Sequence, residues 1–303
     1  MIPDSKIETW LQEDLGHHDV TNHVPGETSG RLVARESGVV AGLESAAAVF
    51  EYLGVDVETP VEPGDRIESG DVVLRTDGSA RETLRGERIA VNVAGHASGI
   101  ATRTREAVDR ARETVQTDPD GTSVPVASRA VRIACTRKTT PGLRGIEKRA
   151  VVAGGGDTHR LDLSHMVMIK DNHVAEMGLV EAIEHFRDRA SFTTKIEVEV
   201  EEPEDASRAA EAGADIVLLD NMDPETTAEA VRRLRAAEPE ISELTSGDAG
   251  TMSSDADPDV IAEASGGITL DDVPDYAATG VDVISMGALT HSAPTLDLSF
   301  RTG

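Results

Sequence analysis

Cysteine, lysine and aromatic residues are scarce in this chain of 303 residues. Its single cysteine, Cys135, excludes an internal disulfide bond and a cysteine-based metal cluster. Because Cys135 closes the apolar run VRIAC, we expect it to pack in the core rather than to act as a nucleophile. Phenylalanine, tryptophan and tyrosine make up only 2% of the residues, too few for a surface that stacks nucleic-acid bases.

Long apolar runs are also missing. No segment approaches the roughly 18 consecutive apolar residues of a membrane-spanning helix. The N-terminal sequence MIPDSKIETW has no hydrophobic stretch of the kind found in a secretion signal. We therefore expect a soluble, cytoplasmic protein.

Basic residues are outnumbered along the whole chain. There are 56 acidic residues against 29 basic ones, which gives a formal net charge of −27. Such a composition is typical of a salt-filled cytoplasm, where the excess charge keeps a protein hydrated and the salt screens its self-repulsion. We therefore predict a halophilic protein, and the negative field argues against a nucleic-acid partner.

One segment, residues 136–173, breaks this acidic pattern. It holds three of the five lysines, and its seven basic residues against four acidic ones give it a formal charge of +3. Clustered fixed cations are what a polyanionic ligand requires. We therefore interpret this segment as part of a binding site rather than as a solvated basic face.

The hydrophobic pattern changes near residue 110. Before it, short β-like runs alternate with turns, and helices are predicted at Ser45–Leu53 and Leu84–Arg112. After it, six apolar runs alternate with helical segments, which predicts βαβ units and a parallel sheet. The predicted strands are 131–135, 166–169, 195–200, 215–219, 260–264 and 281–286. No Gly-x-Gly-x-x-Gly fingerprint follows the first strand, so a closed or nearly closed barrel is favoured over a dinucleotide-binding fold.

Two polar segments interrupt this pattern, Thr114–Arg129 and Ser242–Asp259. Both are rich in serine, threonine, aspartate, glycine and proline, and neither has helical or strand periodicity. We expect them to be surface loops.

Charged or small residues follow nearly every predicted strand of the second half. In α/β barrels the active site is built at the C-terminal ends of the strands, so these residues should surround one opening. Listed in strand order they are Thr136, Arg137 and Lys138; Lys170; Glu199; Asp220; Ser265, Gly266 and Gly267; and Gly287. His159 and Arg160 follow a Gly-Gly-Gly turn that would bring both to the same place.

These residues suggest separate roles. The glycine turns after the last two strands could hold a phosphate on backbone N–H groups. Glu199 and Asp220 could hold Mg²⁺ or sugar hydroxyls, although Glu199 could also be a solvated residue of an alternating strand.

We do not interpret EDLGHHDVTNH, residues 13–23, as a metal site. It lacks the i, i+4 histidine pairing of zinc enzymes, and its capping signals indicate a turn.

Several motifs together resemble the quinolinate phosphoribosyltransferase family. They are EDLGHHDVT (13–21), TRKTTPGLR (136–144), GGG with HR (154–160), IKDNH (169–173), EVEVE (197–201), LLDN (218–221), SGGI (265–268) and GALTHS (287–292). The resemblance covers essentially the whole chain apart from the two polar segments. The histidines at 17 and 18 depart from the small residues that the family usually has there.

The resemblance implies an incomplete (β/α) barrel of the type II phosphoribosyltransferase kind, over 113–289. It also implies an N-terminal α/β sandwich domain over 1–112, completed by the tail 290–303. The implied reaction is a pentosyl transfer from phosphoribosyl pyrophosphate to quinolinate with Mg²⁺ and decarboxylation, in NAD biosynthesis. The implied assembly is a dimer with a shared active site, with further assembly into a hexamer left open.

The resemblance also assigns roles to residues. Arg88 reaches in from the neighbouring subunit, and Glu199 and Asp220 lie near the ribose and Mg²⁺. The residues implied to line the quinolinate and pyrophosphate region are Arg137, Lys138, His159, Arg160 and Lys170. The residues implied to hold the 5′-phosphate are Ser265, Gly266, Gly267 and Gly287. We name Lys138, Lys170, Glu199 and Asp220 as catalytic candidates, and Thr136 as a further substrate-binding residue.

The sequence disfavours three other functions. A transferase acting on nicotinate would have one carboxylate fewer to hold, and the surplus of arginine and histidine favours the dicarboxylate. A non-catalytic relative kept for binding is disfavoured by the intact Lys138, Lys170, Glu199 and Asp220. An acidic interaction protein without a pocket conflicts with the ordered residues at the strand ends.

Overall fold

The computed structural model describes residues 2–113, 115–117, 123–125, 131–245 and 260–303. The chain divides into two compact units. The first comprises Met1–Glu106, Lys138–Thr158 and Leu289–Gly303. The second comprises Ala107–Arg137 and His159–Ala288.

The first unit contains an antiparallel sheet and helices that bury its apolar face. Its helices are α1 (Asp4–Leu15), α2 (Leu43–Tyr52), the first part of α3 (Ala80–Glu113) and α4 (Arg144–Ala153). Its strands are β1 (Glu27–Ala34), β2 (Gly38–Val39), β3 (Asp56–Glu58), β4 (Arg66–Ile67), β5 (Val72–Ser79) and β14 (Leu298–Thr302). Four of them form a sheet in the order β14-β1-β5-β3, so the C-terminal strand is an edge of the N-terminal sheet.

The core of this unit lies between the sheet and its helices. Phe50 of α2, Leu32 of β1 and Leu74 of β5 are fully buried in it, and burial of each side chain of this size is worth about 1.5–3 kcal/mol. Close packing of the C-terminal tail on α3 depends on the small residue Gly99. A Cβ atom at Gly99 would lie 1.8 Å from the carbonyl oxygen of Pro294. The close approach of the C-terminal tail to α3 therefore requires glycine at position 99.

The second unit contains a six-stranded parallel sheet. Its strands are β8 (Arg132–Ala134), β9 (Val167–Ile169), β10 (Ile196–Val200), β11 (Ile216–Asp220), β12 (Ile261–Ser265) and β13 (Val283–Ser285). The order is β8-β13-β12-β11-β10-β9, and every neighbouring pair is parallel. The last strand thus pairs with the first, as in a barrel, while β8 and β9 occupy the two edges. The incomplete barrel predicted from the sequence is confirmed, and Cys135 is buried beside β8 as expected.

Helices follow β9 to β13 along the chain. They are α5 (Asp171–Met177), α6 (Leu179–Arg187), α7 (Pro203–Glu211), α8 (Pro224–Thr245), α9 (Val273–Ala277) and α10 (Ala288–His291). The sequence pattern did not predict α4 or α5. Both are short, at ten and seven residues, so each has few turns in which amphipathic periodicity could be recognised.

The two polar segments differ in part from the prediction of structureless loops. The first contains a short antiparallel hairpin of β6 (Val115–Thr117) and β7 (Ser123–Pro125). The second begins inside α8, which runs through Pro239 and continues to Thr245. The remainder of both predictions lies outside the described residues. No helix among the described residues is long and apolar enough to cross a membrane.

Candidate active site

The ends of β9 and β10 bring together two of the predicted catalytic residues. Lys170 follows β9 directly, and its Nζ atom donates to Oε2 of Glu199 at 2.5 Å. The two side chains come from adjacent parallel strands, so their C-terminal ends lie at the same edge of the sheet. Glu199 is therefore an ion-paired residue at this edge, and the alternative of a solvated strand residue is wrong.

Asp220 ends β11, the next strand. Burial, and then the charge of Glu199, raises the pKa of Asp220 above its usual value. Two neighbouring carboxylates that oppose each other's ionisation attract a cation, so this pair could bind a metal ion. The same oxygens could accept hydrogen bonds from a ligand hydroxyl. The neighbouring Asn221 donates from Nδ2 to Oδ2 of Asp220 at 2.5 Å and fixes its orientation.

The turn after β12 packs directly against Asn221. Gly266 has φ +103°, and a Cβ atom there would lie 2.4 Å from Oδ1 of Asn221 and 2.6 Å from its backbone nitrogen. Only glycine fits this conformation and this approach. Asn221 itself has φ +55°, and its backbone N–H donates to the carbonyl of Ser265. The predicted glycine turn is thus joined to the end of the strand that carries Asp220.

Two arginines of the predicted site lie near each other in the second unit. Arg160 is 9% exposed, and its Nη2 lies 2.9 Å from the sulfur of Met168. Burial, and then the charge of Arg137, lowers the pKa of Arg160. Holding two guanidinium groups together in a partly buried place is unfavourable by itself. An anionic ligand would offset part of that cost, so this pair is a candidate anion site.

His159 lies over two buried carboxylates that the sequence analysis did not select. Its Nε2 atom is 3.3 Å from Oε2 of Glu197 and 3.3 Å from Oε1 of Glu263. Burial lowers the pKa of His159, but the two carboxylates outweigh burial and raise it to about 10. Burial also raises the pKa of Glu197. His159 has φ +51°, a conformation that is uncommon outside glycine and is concentrated at functional sites.

A sequence signal for these carboxylates exists. Glu197 alternates with valine in β10, and Glu263 interrupts the apolar run of β12. In an α/β barrel, side chains from alternate strands fill the same interior layer, and β10 and β12 flank β11. A glutamate inside an apolar strand of such a sheet is thus a candidate for a buried functional group.

The remaining predicted residues lie elsewhere in the two units. Thr136 follows β8 and Gly287 follows β13, and both are half-buried. Lys138 and Arg88 are exposed residues of the first unit, Arg88 on α3. Lys148, one of the lysines of the basic segment, is buried and donates to the carbonyl of Thr158. This ammonium group therefore stabilises the first unit.

An open (β/α) barrel with cations and carboxylates at the C-terminal strand ends defines an enzyme that binds an anionic substrate. Two family models match the chain. One, described as quinolinate phosphoribosyl transferase, C-terminal domain, covers residues 100–301, and the N-terminal domain of the same family covers residues 19–98. The chain therefore belongs to the quinolinate phosphoribosyltransferase family.

Individual relatives agree with this assignment. A probable nicotinate-nucleotide pyrophosphorylase (carboxylating) of Methanothermobacter thermautotrophicus is 43% identical over 300 residues, 97% of each chain. The human nicotinate-nucleotide pyrophosphorylase (carboxylating) is 38% identical over 97% of this chain and 90% of its own. The solved structure of nicotinate-nucleotide pyrophosphorylase from Francisella tularensis has a TM-score of 0.82 at 27% identity, covering 100% of this chain and 98% of its own.

Proposed function

We propose that this enzyme transfers the phosphoribosyl group of phosphoribosyl pyrophosphate to quinolinate. The products are nicotinate mononucleotide, pyrophosphate and CO₂, and the reaction serves NAD biosynthesis. The observation that carries the proposal is the convergence of Arg137, His159 and Arg160 in a chain of net charge −27. Membership of the family supports it.

The chemistry requires this arrangement. Quinolinate is a dianion and the donor is a polyanion, so their approach needs several fixed cations. Departure of pyrophosphate leaves positive charge on the ribose, and carboxylates such as Glu199 and Asp220 can stabilise it. After transfer, the positively charged pyridine nitrogen stabilises the carbanion left by loss of the 2-carboxylate. Positioning and electrostatics should supply most of the rate.

Asp220 and Glu199 fit Mg²⁺ by their chemistry, because they are oxygen ligands at the ends of adjacent strands and Glu199 raises the pKa of Asp220. Bound there with the donor, the ion would neutralise the charge of the leaving pyrophosphate. Lys170 holds Glu199 in place by its ion pair. The turns at Ser265–Gly267 and at Gly287 offer backbone N–H groups for the 5′-phosphate.

We further propose a cytoplasmic homodimer adapted to high salt, with one active site shared between two subunits. The position of Arg88 supports the sharing. It is exposed on α3, and the family resemblance implies that this arginine reaches the neighbouring subunit's site. The charge of −27 supports the adaptation to salt.

The reaction is tested with quinolinate carrying ¹⁴C in its 2-carboxylate. Purified protein in high salt with Mg²⁺ should release labelled CO₂ only when phosphoribosyl pyrophosphate is present. Nicotinate offered in place of quinolinate should give no nucleotide. Absence of label, or release of label without the donor, would refute the proposal.

A further inference from the structure

The His159 cluster, defined as His159, Glu197 and Glu263, is almost sealed from solvent. The side chains are 10%, 0% and 2% exposed, respectively. Glu197 comes from β10 and Glu263 from β12, while His159 comes from the loop before β9. Three chain segments far apart in sequence therefore meet at one imidazole nitrogen.

The carboxylates of this cluster have few partners. Among the described residues, no group donates a hydrogen bond of good geometry to either oxygen of Glu197. The same is true of Oε1 of Glu263. Burying a carboxylate without a donor or a cation is costly. The group that faces both is Nε2 of His159, at 3.3 Å from each. One N–H shared between two acceptors accounts for both distances being long.

The other ring nitrogen fixes where the hydrogen is. Nδ1 of His159 accepts the backbone N–H of Arg160 at 2.7 Å, so Nδ1 carries no hydrogen, and this hydrogen bond opposes the second protonation that the two carboxylates favour. The single hydrogen of the ring is therefore on Nε2. A metal ion in the cluster would need the lone pair of Nε2 and would move the hydrogen to Nδ1. A hydrogen on Nδ1 would face the backbone N–H of Arg160, and the two donors would repel each other. The arrangement therefore favours an N–H shared by two carboxylates over a metal centre.

We propose that Glu197 and Glu263 are positioning residues for the acceptor substrate. By accepting the Nε2 hydrogen, they hold the ring of His159, whose Nδ1 in turn accepts the backbone N–H of Arg160 and so positions this cation. This inference rests on the proposed function, because quinolinate is the dianion that the cations would bind. It adds two buried residues that act on the substrate only through His159 and Arg160.

The sign of the effect separates positioning from simple electrostatics. Removing a buried negative charge makes the site more positive, which by itself would tighten the binding of a dianion. Releasing the ring of His159 would weaken binding, because the backbone of Arg160 loses its acceptor and the charge-assisted contact of its guanidinium to the substrate loses its geometry. We expect the loss of positioning to outweigh the gain in positive charge, since one charge-assisted contact is worth about tenfold or more in affinity.

The kinetic test uses Glu263→Gln and Glu197→Gln, with Glu211→Gln as the matched control. Glu211 is an exposed residue at the end of α7, and its change also removes one negative charge. Each cluster variant should raise the KM for quinolinate about tenfold and leave the KM for phosphoribosyl pyrophosphate within about twofold. Equal increases in both KM values, or a lower KM for quinolinate, would overturn the proposal.

A double-mutant cycle tests whether the glutamates act through His159. In a His159→Ala background, Glu263→Gln should change the KM for quinolinate by less than about twofold, because there is no ring left to position. Full additivity of the two changes would show that Glu263 acts independently of His159, and the proposal would be wrong.

A spectroscopic measurement on the wild-type protein needs neither turnover nor a stable variant. In ¹H–¹⁵N spectra of protein labelled at histidine, the His159 ring should carry its hydrogen on Nε2. A ring that carries a hydrogen on Nδ1, alone or together with one on Nε2, or one equivalent of a metal bound at the cluster, would overturn the proposal. If the wild-type protein released no labelled CO₂, the proposed reaction would fail, whereas this measurement would still decide the inference about the ring.

Discussion

His96 and Glu147 form a buried contact within the first unit, with Nε2 of His96 2.9 Å from Oε1 of Glu147. The carboxylate also accepts the backbone N–H of Thr140, two residues after Lys138. On the other side, the hydroxyl of Thr290 donates to the carbonyl of Lys138. Glu147 and Thr290 thus fix the backbone around a predicted catalytic lysine.

We predict that Glu147→Gln destabilises the protein by about 2 kcal/mol, because hydrogen bonds to a buried charged group are worth about 1.5–3 kcal/mol. Urea unfolding in high salt measures this loss. Glu44→Gln is the control, since Glu44 forms a surface ion pair with Arg149, and such pairs contribute about 1 kcal/mol or less. Equal losses in the two variants would contradict the importance of the buried contact.

The stability difference between wild type and Glu147→Gln should depend on pH. Burial raises the pKa of Glu147, but the hydrogen bonds from His96 and Thr140 lower it by more than burial raises it. The pKa is therefore below its usual value. A carboxyl whose folded-state pKa is depressed stabilises the fold above its unfolded-state pKa of about 4.3, and this contribution is lost as the pH falls through the folded-state value. The difference should be constant above about pH 5 and should shrink below about pH 4. A difference that grows on acidification would be the wrong sign.

Removal of a single cation from the candidate site should lower activity strongly. We expect Lys138→Ala and Arg160→Ala each to lose at least ~10²-fold in kcat/KM, because one contact to a developing anion contributes about 3 kcal/mol. Lys195→Ala is the control, since Lys195 is exposed at the start of β10, at the opposite end from the site. Comparable losses in all three variants would indicate a general effect of charge instead of a site.

The sharing of the active site predicts complementation. Arg88→Ala and Lys138→Ala chains should each be inactive alone, whereas mixed dimers should recover some activity because one of the two sites would have both residues. Activity of verified mixed dimers, compared with each parent, measures this. No recovery in such dimers would mean that Arg88 and Lys138 serve the same site from one chain.

The acidic surface predicts salt dependence. With a net charge of −27, repulsion between carboxylates should weaken the fold in dilute buffer, and added salt should screen it. Tm measured from low to multimolar KCl should rise substantially. A flat profile would contradict the halophilic interpretation.

Much of the candidate site could be predicted from the sequence. Lys170 follows an apolar run, Asp220 ends one, and Glu199 lies near the end of an alternating strand. Parallel strands place such residues at one edge of a sheet. Gly266 could be predicted as a turn residue for the same reason. The local pattern suffices because the position of a residue at a strand end depends on the strand alone.

Only the tertiary structure decided the roles of Glu197, Glu263 and Lys148. The alternation in β10 shows that Glu197 and Glu199 share a face, but packing within the second unit decides that Glu197 is fully buried while Glu199 remains within reach of Lys170. Likewise, Lys148 belongs to the basic segment by sequence, yet its ammonium is buried against the carbonyl of Thr158. A charge finds its partner through packing between distant segments, which no local pattern of residues encodes.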